Sequence, residues 1–183
     1  FVPEVSVGEP EESAAISLPV AFEAHLMISE SQEAVRDWAR AGASRIIIHA
    51  EAGKNIGLVI QEIKKHKRKA GLAFNPETEI VDYEDLLDAV DFVQLMGVNP
   101  GAMGREFHEN VFDKIKYIKK KNPKMLVAVD GGVNEKNILR LAQAGAEDLV
   151  VGSAIFRAKN PVDALKNLQN LIGAGHSSMT QKE

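Results

Sequence analysis

The 183-residue chain contains no cysteine, which excludes disulfides and thiolate metal ligands. Aromatic residues make up only 5% of it, with a single tryptophan. Positive charge is slightly outnumbered: Lys and Arg number 22 against 26 for Asp and Glu, and the net charge is −4. We therefore expect no general nucleic-acid surface, since that needs clustered positive charge. No apolar run approaches the roughly 20 residues that span a bilayer, so we also expect no membrane segment.

Three sequence signals are also absent: an initiator methionine, a secretory signal and the Gly-x-Gly-x-x-Gly fingerprint of dinucleotide-binding sheets. The chain begins Phe1-Val2-Pro3, and we interpret it as truncated at its N-terminus. Its 45% apolar and 26% charged residues are ordinary for a globular protein with one core. We predict a single domain over residues 1–183, located in the cytoplasm, with a flexible tail over residues 173–183.

Six apolar runs alternate with helical patterns along the chain. Most of these runs are continuous rather than alternating, which indicates parallel strands buried on both faces. The predicted strands are Val20–Leu26, Arg45–His49, Ala70–Phe74, Phe92–Met96, Met125–Asp130 and Asp148–Gly152. The predicted helices are Ser31–Ala41, Ile56–Lys67, Tyr83–Ala89, Val111–Lys121, Asn134–Ala144 and Pro161–Ile172. This alternation predicts a parallel α/β fold with right-handed crossovers. Gly42 and Gly145 each follow a predicted helix, where a left-handed cap is expected.

Two of the predicted strands end in glycine, as Asp130-Gly131-Gly132 and as Gly152-Ser153. Backbone without side chains can approach a phosphate closely and point its N–H groups at the anion. In a (β/α)8 barrel the phosphate site lies in the loops after strands seven and eight. We therefore predict an α/β fold of the TIM-barrel, phosphosugar-binding type, with these glycines and Ser153 at the phosphate. An ordinary tight turn is the alternative for Gly152-Ser153.

His25 ends the first predicted strand, and Asp130 closes a later apolar strand. An imidazole and a carboxylate that converge from separate strand ends could hold a divalent metal ion. A carboxylate in that position could also carry a proton. The alternatives are a buried histidine bonded to backbone and an aspartate that caps the following helix. His49 is predicted to lie in the core or behind the site.

Two further features lie at strand ends. Met27 and Met96 could form an apolar wall beside a substrate, although core filling is the commoner role of methionine. The loop over residues 97–104 has glycines for hinges and is long enough to cover a ligand. A plain Pro-Gly turn is the alternative for this loop.

In their order along the chain, six segments resemble the ribulose-phosphate 3-epimerase family. They are His25–Met27, His49–Ala52, Ala70–Thr78, Met96–Gly101, Val129–Val133 and Gly152–Phe156. The resemblance implies a (β/α)8 barrel that interconverts D-ribulose 5-phosphate and D-xylulose 5-phosphate, in the pentose phosphate pathway, by epimerisation at C3. It also implies a divalent metal ion: zinc, iron or manganese.

The resemblance implies roles for individual residues. His25 would be a metal ligand that also touches the substrate, and Asp130 would be a metal ligand and one of two acid/base carboxylates. The implied substrate and phosphate contacts are His25, Gly101, Ala102, Met103, Gly104, Asp130, Gly131, Gly132, Gly152 and Ser153. The expected partner is a small phosphosugar, and self-association into a homo-oligomer is left open.

The chain departs from its family at the front. Phe1-Val2-Pro3 resembles the end of a family motif that follows the first βαβ unit, and that unit would bring a serine, a histidine and the second aspartate. We therefore expect an incomplete barrel with six of the eight strands, nearly inactive alone although the full-length product is an epimerase. Residues 102–105 and Glu23 also differ from the family pattern.

Two other interpretations remain open. A hexulose-phosphate synthase or a related decarboxylase would share the phosphate strands, but its Asp-x-Lys-x-x-Asp cluster is not visible in this sequence. A degenerate barrel that binds phosphosugars without turnover is the non-enzyme alternative.

Overall fold

A computed structural model describes residues 9–10, 21–29, 32–99 and 106–179, with side chains as far as residue 173. The strands in these ranges are β1 (Glu23–Leu26), β2 (Arg45–His49), β3 (Lys69–Phe74), β4 (Phe92–Met96), β5 (Leu126–Asp130) and β6 (Asp148–Val150). The helices are α1 (Gln32–Arg40), α2 (Ile56–Lys65), α3 (Glu84–Leu87), α4 (Asn110–Lys121), α5 (Ile138–Ala144), α6 (Ser153–Phe156) and α7 (Pro161–Met179). Strand order in the sheet follows the chain, from β1 to β6.

The predicted alternation of strands and helices is confirmed, and the differences lie at element ends. The helix predicted from Asn134 begins at Ile138, because a turn precedes it. Helix α3 is shorter than predicted, since a 3-10 turn, Ile80–Tyr83, occupies its start. Helix α7 continues beyond the predicted end at Ile172, so the predicted tail is helical as far as Met179. The flexibility of that tail stays a prediction.

The first compact unit spans Phe1–Gln94 and is built on strands buried on both faces. Strand β2 pairs parallel with β1 on one side and with β3 on the other. Its central isoleucines are buried and face buried residues of β3, in the register Ile46↔Ala70 and Ile48↔Leu72. Such burial explains the continuous apolar runs in the sequence, because both side-chain directions meet protein.

The second compact unit spans Leu95–Glu183 and contains the parallel pair β5–β6, in the register Asp130↔Val150. A carboxylate joins the amino ends of these strands, since Glu147 accepts a hydrogen bond from Val127 N at 2.9 Å and another from Lys119. Helix α5 ends at Ala144 and is capped by Gly145, whose φ of 111° is the left-handed conformation that the sequence predicts. No helix in the described ranges combines the length and apolar character needed to cross a membrane.

Substitution by alanine should have opposite effects on stability at two glycines of the first unit. A Cβ on Gly71 in β3 would lie 2.7 Å from Phe92 Cε2 and 3.0 Å from Ile47 Cγ1, whereas one on Gly57 in α2 would meet Leu86 at 3.8 Å. We expect Gly71→Ala to lower the free energy of unfolding by about 1–3 kcal/mol through overpacking. Gly57→Ala should raise it by about 0.5–1 kcal/mol, because alanine favours the helix. Urea unfolding measures both, and equal effects of the two variants would contradict the packing around Gly71.

Candidate active site

A chain of polar side chains surrounds His25 at the carboxyl end of β1. His25 Nε2 lies 2.9 Å from Nε2 of His49, and the two rings stack with centroids 5.0 Å apart. On its other side, His25 Nδ1 lies 3.1 Å from the amide nitrogen of Gln94. His49 Nδ1 in turn lies 3.2 Å from a carboxylate oxygen of Glu51. Side chains from β2, from the middle of β4 and from the 3-10 turn after β2 therefore orient the half-buried imidazole of His25.

The carboxylate of Glu51 determines the direction of its own hydrogen bond with His49, and a neutral His49 then determines the direction of its bond with His25. An ionised carboxylate can only accept, so His49 carries its proton on Nδ1 and, when neutral, accepts at Nε2. His25 must then donate from Nε2 and accept at Nδ1 from the Gln94 amide. Binding a metal ion through His25 Nε2 would have to replace the hydrogen bond to His49, because a ligating nitrogen needs its lone pair.

Glu51 is held ionised by its neighbours. Burial by itself would raise the pKa of this carboxyl group, but hydrogen bonds from His49, Thr78 and the backbone N–H of Asn75 outweigh burial and lower the pKa to about 2. The carboxylate therefore stays charged across the physiological range, which keeps His49 in the tautomer described above.

Asp130 is the last residue of β5 and belongs to the second unit. It is half-buried, and its carbonyl oxygen accepts a hydrogen bond from Gly97 N at 2.6 Å. The Gly97 carbonyl accepts in turn from His108 N at 2.8 Å, so Gly97, the first residue of the predicted lid loop, is tied both to this strand end and to His108. These hydrogen bonds fix the position of the Asp130 backbone, from which its side chain extends.

The glycines after β5 and β6 are glycines for different reasons. Gly131 and Gly132 have φ of 91° and 73°, which L-residues rarely adopt, and Cβ atoms there would lie 2.8 Å and 3.0 Å from Val98. Gly152 has a negative φ of −101°, and a Cβ there would meet no described atom within 4 Å. Among these three glycines, only Gly152 has neither a positive φ nor a described atom near the place of a Cβ.

Other predicted site residues have the following places. Met27 is half-buried just after β1, and Met96 is buried at the end of β4. Ser153 begins the short helix α6 directly after Gly152. Gly101, Ala102, Met103 and Gly104 lie outside the described residues. The apolar wall and the lid stay predictions.

Sequence reasoning missed two participants, Glu51 and Gln94. Glu51 lies two residues after His49, and the His-x-Glu spacing is the local signal that could have suggested the pair. Gln94 is the polar residue inside an otherwise apolar strand and is 1% exposed, so its polarity was the available signal. His49 lies behind His25, in agreement with its predicted core or supporting position.

The described residues contribute suitable donors for a divalent metal ion, but too few of them. His25 and Asp130 offer an imidazole and a carboxylate, the ligand types that such ions accept. No group of three or more His, Cys, Asp or Glu close enough to hold an ion occurs within the described ranges. A catalytic metal site normally uses three protein ligands. The described set therefore does not make a complete metal site.

Solved structures share this fold at low sequence identity. KGPDC from Streptococcus mutans matches with a TM-score of 0.70 and 16% identity, over 90% of this chain and 77% of that one. The 3-hexulose-6-phosphate synthase from Salmonella typhimurium matches with a TM-score of 0.68 and 18% identity, over 85% and 74%. Such identities show the fold alone. They confirm the predicted TIM-barrel type, of which the described residues contain six strands.

Sequence comparison is more specific. The model of the ribulose-phosphate 3 epimerase family matches residues 1–156. The ribulose-phosphate 3-epimerase of Serratia marcescens is 38% identical over 164 residues, which are 85% of this chain and 77% of the relative. That of Aquifex aeolicus is 36% identical over 179 residues, or 94% and 80% of the two chains. The chain therefore belongs to the ribulose-phosphate 3-epimerase family, and its enzyme class is that of an epimerase.

Proposed function

We propose that the protein carrying this chain interconverts D-ribulose 5-phosphate and D-xylulose 5-phosphate by moving the proton on C3. Membership of the family and the names of the relatives support this substrate pair. The C3 proton is acidic enough to remove because a carbonyl lies at C2, so abstraction gives an enediolate. The pentose phosphate pathway and the cytoplasm are the setting proposed for this reaction.

One observation carries the proposal: the register of β5 and β6 brings Asp130, the proposed proton carrier, to the same edge as the proposed anion site. Asp130 pairs with Val150, and Gly152 follows two residues later on the neighbouring parallel strand. The carboxyl ends of parallel neighbours lie at the same edge, so the Asp130 carboxylate and both glycine turns share that edge. A carboxylate beside an anion-binding turn is what proton transfer on a small phosphorylated sugar requires.

The open space at Gly152 supports a phosphate contact there. Neither its φ nor any described neighbour requires the absence of a side chain. Close approach of a ligand to the backbone is a physical reason for glycine at such an open position. Ser153 follows with a hydroxyl and a backbone N–H at the start of α6, and we assign both residues to the phosphate with Gly131 and Gly132.

Asp130 is proposed as the proton carrier on one face of the enediolate, and inversion at C3 requires a second carrier on the other face. Ribulose-phosphate 3-epimerases generally use a divalent metal ion. His25 and Asp130 are proposed as two of its ligands, with zinc, iron or manganese as the ion.

The remaining assignments belong to the same proposal. We assign His25, Gly101, Ala102, Met103 and Gly104 to substrate binding. Met27 and Met96 are proposed as the apolar wall near the reacting carbon. The chain is proposed to act as one barrel domain, and its self-association stays open.

Replacement of Asp130 tests the proposed reaction. Asp130→Asn should slow epimerisation by about 10²–10⁴-fold, because the amide cannot carry the proton. NMR can follow deuterium entering at C3 of ribulose 5-phosphate together with the appearance of xylulose 5-phosphate. Asp113→Asn is the matched control, since that side chain is 81% exposed on α4. Carbon–carbon cleavage, or binding of the sugar without exchange by the unaltered protein, would contradict the proposal.

The role of Gly152 is tested by a single methyl group. Gly152→Ala should weaken binding of inorganic phosphate and of ribulose 5-phosphate by about tenfold, because the Cβ occupies the space given to the anion. Its free energy of unfolding should change by less than about 0.5 kcal/mol. Gly131→Ala is the contrast, since it should destabilise the fold by about 1–3 kcal/mol. Unchanged phosphate affinity in Gly152→Ala would remove this residue from the site.

The charge of Glu51 predicts a pH-dependent stability. The folded-state pKa of about 2 lies below the ordinary 4.5, so the stabilisation is complete above that value and is lost as the pH falls toward 2. Glu51→Gln should therefore lower the free energy of unfolding by up to about 3 kcal/mol at neutral pH. The difference should shrink by more than half near about pH 3, as urea unfolding can measure. Exposed Glu79 offers the control Glu79→Gln, and a pH-independent loss in Glu51→Gln would refute the role of its charge.

A further inference from the structure

Two asparagine side chains converge on one backbone carbonyl in the turn after β5. Asn134 donates from Nδ2 to the Gly132 oxygen at 2.7 Å, and Asn137 donates from Nδ2 to the same oxygen at 3.0 Å. Asn137 is only 5% exposed. Buried amides are costly unless they are bonded, so this convergence is a specific feature of the turn.

The oxygen ends of the same two amides are also used. Asn137 Oδ1 accepts from Asn134 N at 2.8 Å, and Asn134 Oδ1 accepts from Lys136 N at 2.9 Å. A backbone N–H can only donate, so these bonds identify which end of each amide is oxygen. Capping the turn needs only the oxygen ends. The two nitrogen ends therefore do something that capping does not explain.

The target of those nitrogen ends determines the orientation of the next peptide unit. In a planar trans peptide the carbonyl and the N–H point to opposite sides, so holding the Gly132 oxygen aims the Val133 N–H the other way. Val133 is 4% exposed. No group in the described part of the chain accepts a hydrogen bond from this N–H. A backbone donor that has no acceptor in the described ranges suits an anion.

We propose that Asn134 and Asn137 are positioning residues: their amides hold the Gly132 carbonyl and so aim the Val133 N–H at the phosphate of the substrate. This inference rests on the proposed function, because it takes the turn after β5 as part of the phosphate site.

The two glycines of this turn explain why side-chain hydrogen bonds are needed to hold the Gly132 carbonyl. Gly131 and Gly132 supply two successive positive φ angles, but glycine is the residue with the most conformational freedom to lose. Two hydrogen bonds on one carbonyl restrict that freedom. Both donors are neutral amides, so they add no charge that would compete with the backbone for the anion.

Four single substitutions test the positioning role. Asn134→Ser replaces two amide atoms by one hydroxyl, so the bonds to Lys136 N and to the Gly132 oxygen can no longer both be made from their present positions. Asn137→Val and Asn137→Thr differ by one hydroxyl at nearly the same shape, and only threonine can donate to the carbonyl. Asn122→Ser is the control, because Asn122 Oδ1 makes the same kind of contact, to Lys124 N at 3.1 Å, in an exposed turn.

The measurements are the dissociation constant for inorganic phosphate, KM and kcat for ribulose 5-phosphate, and the thermal unfolding midpoint. Asn134→Ser and Asn137→Val should each raise the phosphate dissociation constant and KM about tenfold and change kcat less than about threefold. Asn137→Thr should recover most of the affinity that Asn137→Val loses. Asn122→Ser should change none of these constants. A purely structural role would instead lower the unfolding midpoint without separating KM from kcat.

Two failures can be told apart. If Asn134→Ser and Asn137→Val bind phosphate as tightly as the unaltered protein, or if threonine recovers nothing, the positioning role is wrong and the proposed function stands. If the unaltered protein binds neither inorganic phosphate nor ribulose 5-phosphate, the proposed function fails and this inference fails with it. Should Asn137→Val not fold, Asn134→Ser alone decides the outcome.

Discussion

The second unit depends on a close backbone approach that only glycine permits. A Cβ on Gly97 would collide with the Gly131 carbonyl and lie 2.6 Å from Phe107 Cε2. Without that atom, the Gly97 N–H reaches the Asp130 carbonyl at 2.6 Å, and the ends of β4 and β5 stay together. This contact sets the start of the Gly131-Gly132 turn and the anchor of the loop that leaves β4. The proposed proton carrier and phosphate contacts are both built on it.

In the first unit, the charge of one carboxylate, rather than a close backbone contact, fixes the orientation of the polar side chains. Glu51 is ionised and accepts hydrogen bonds from the side chains of His49 and Thr78 and from the backbone N–H of Asn75. That charge determines the tautomer of His49, and His49 determines which nitrogen of His25 carries the proton. His25, the proposed metal ligand, is therefore oriented by side chains that do not themselves have to touch a substrate.

The sequence was most informative where one residue type decides the local structure. Buried β2 is a continuous apolar run in the sequence. The left-handed cap at Gly145 is likewise indicated by the Ala-Gly sequence at the end of its helix. The element ends that were mispredicted, such as the start of α5, depend on side-chain bonds like those of Asn134 and Asn137. Periodicity carries no information on such bonds, because they involve neither face of the helix.

Contacts between distant parts of the chain were also beyond the sequence. His25 and Gln94 meet across 69 positions, and Glu51 and Thr78 across 27. A polar residue within an apolar strand signals that some partner exists, since a buried amide must be bonded. It does not identify the partner, which depends on the strand register and on the side to which each side chain points.

The glycines of the site show why a motif alone cannot assign a ligand contact. The Gly131-Gly132 pair looks from sequence like an anion-binding turn, yet positive φ and the packing against Val98 already require glycine there. Gly152 has neither requirement within the described structure, so its missing side chain is the more specific indication of a ligand. For the turn after β5, the indication comes instead from the Val133 N–H, which has no acceptor in the described structure, and from the amides that orient its peptide unit. The turns after β5 and β6 thus support a phosphate site for different physical reasons, and separate substitutions can test each of these reasons.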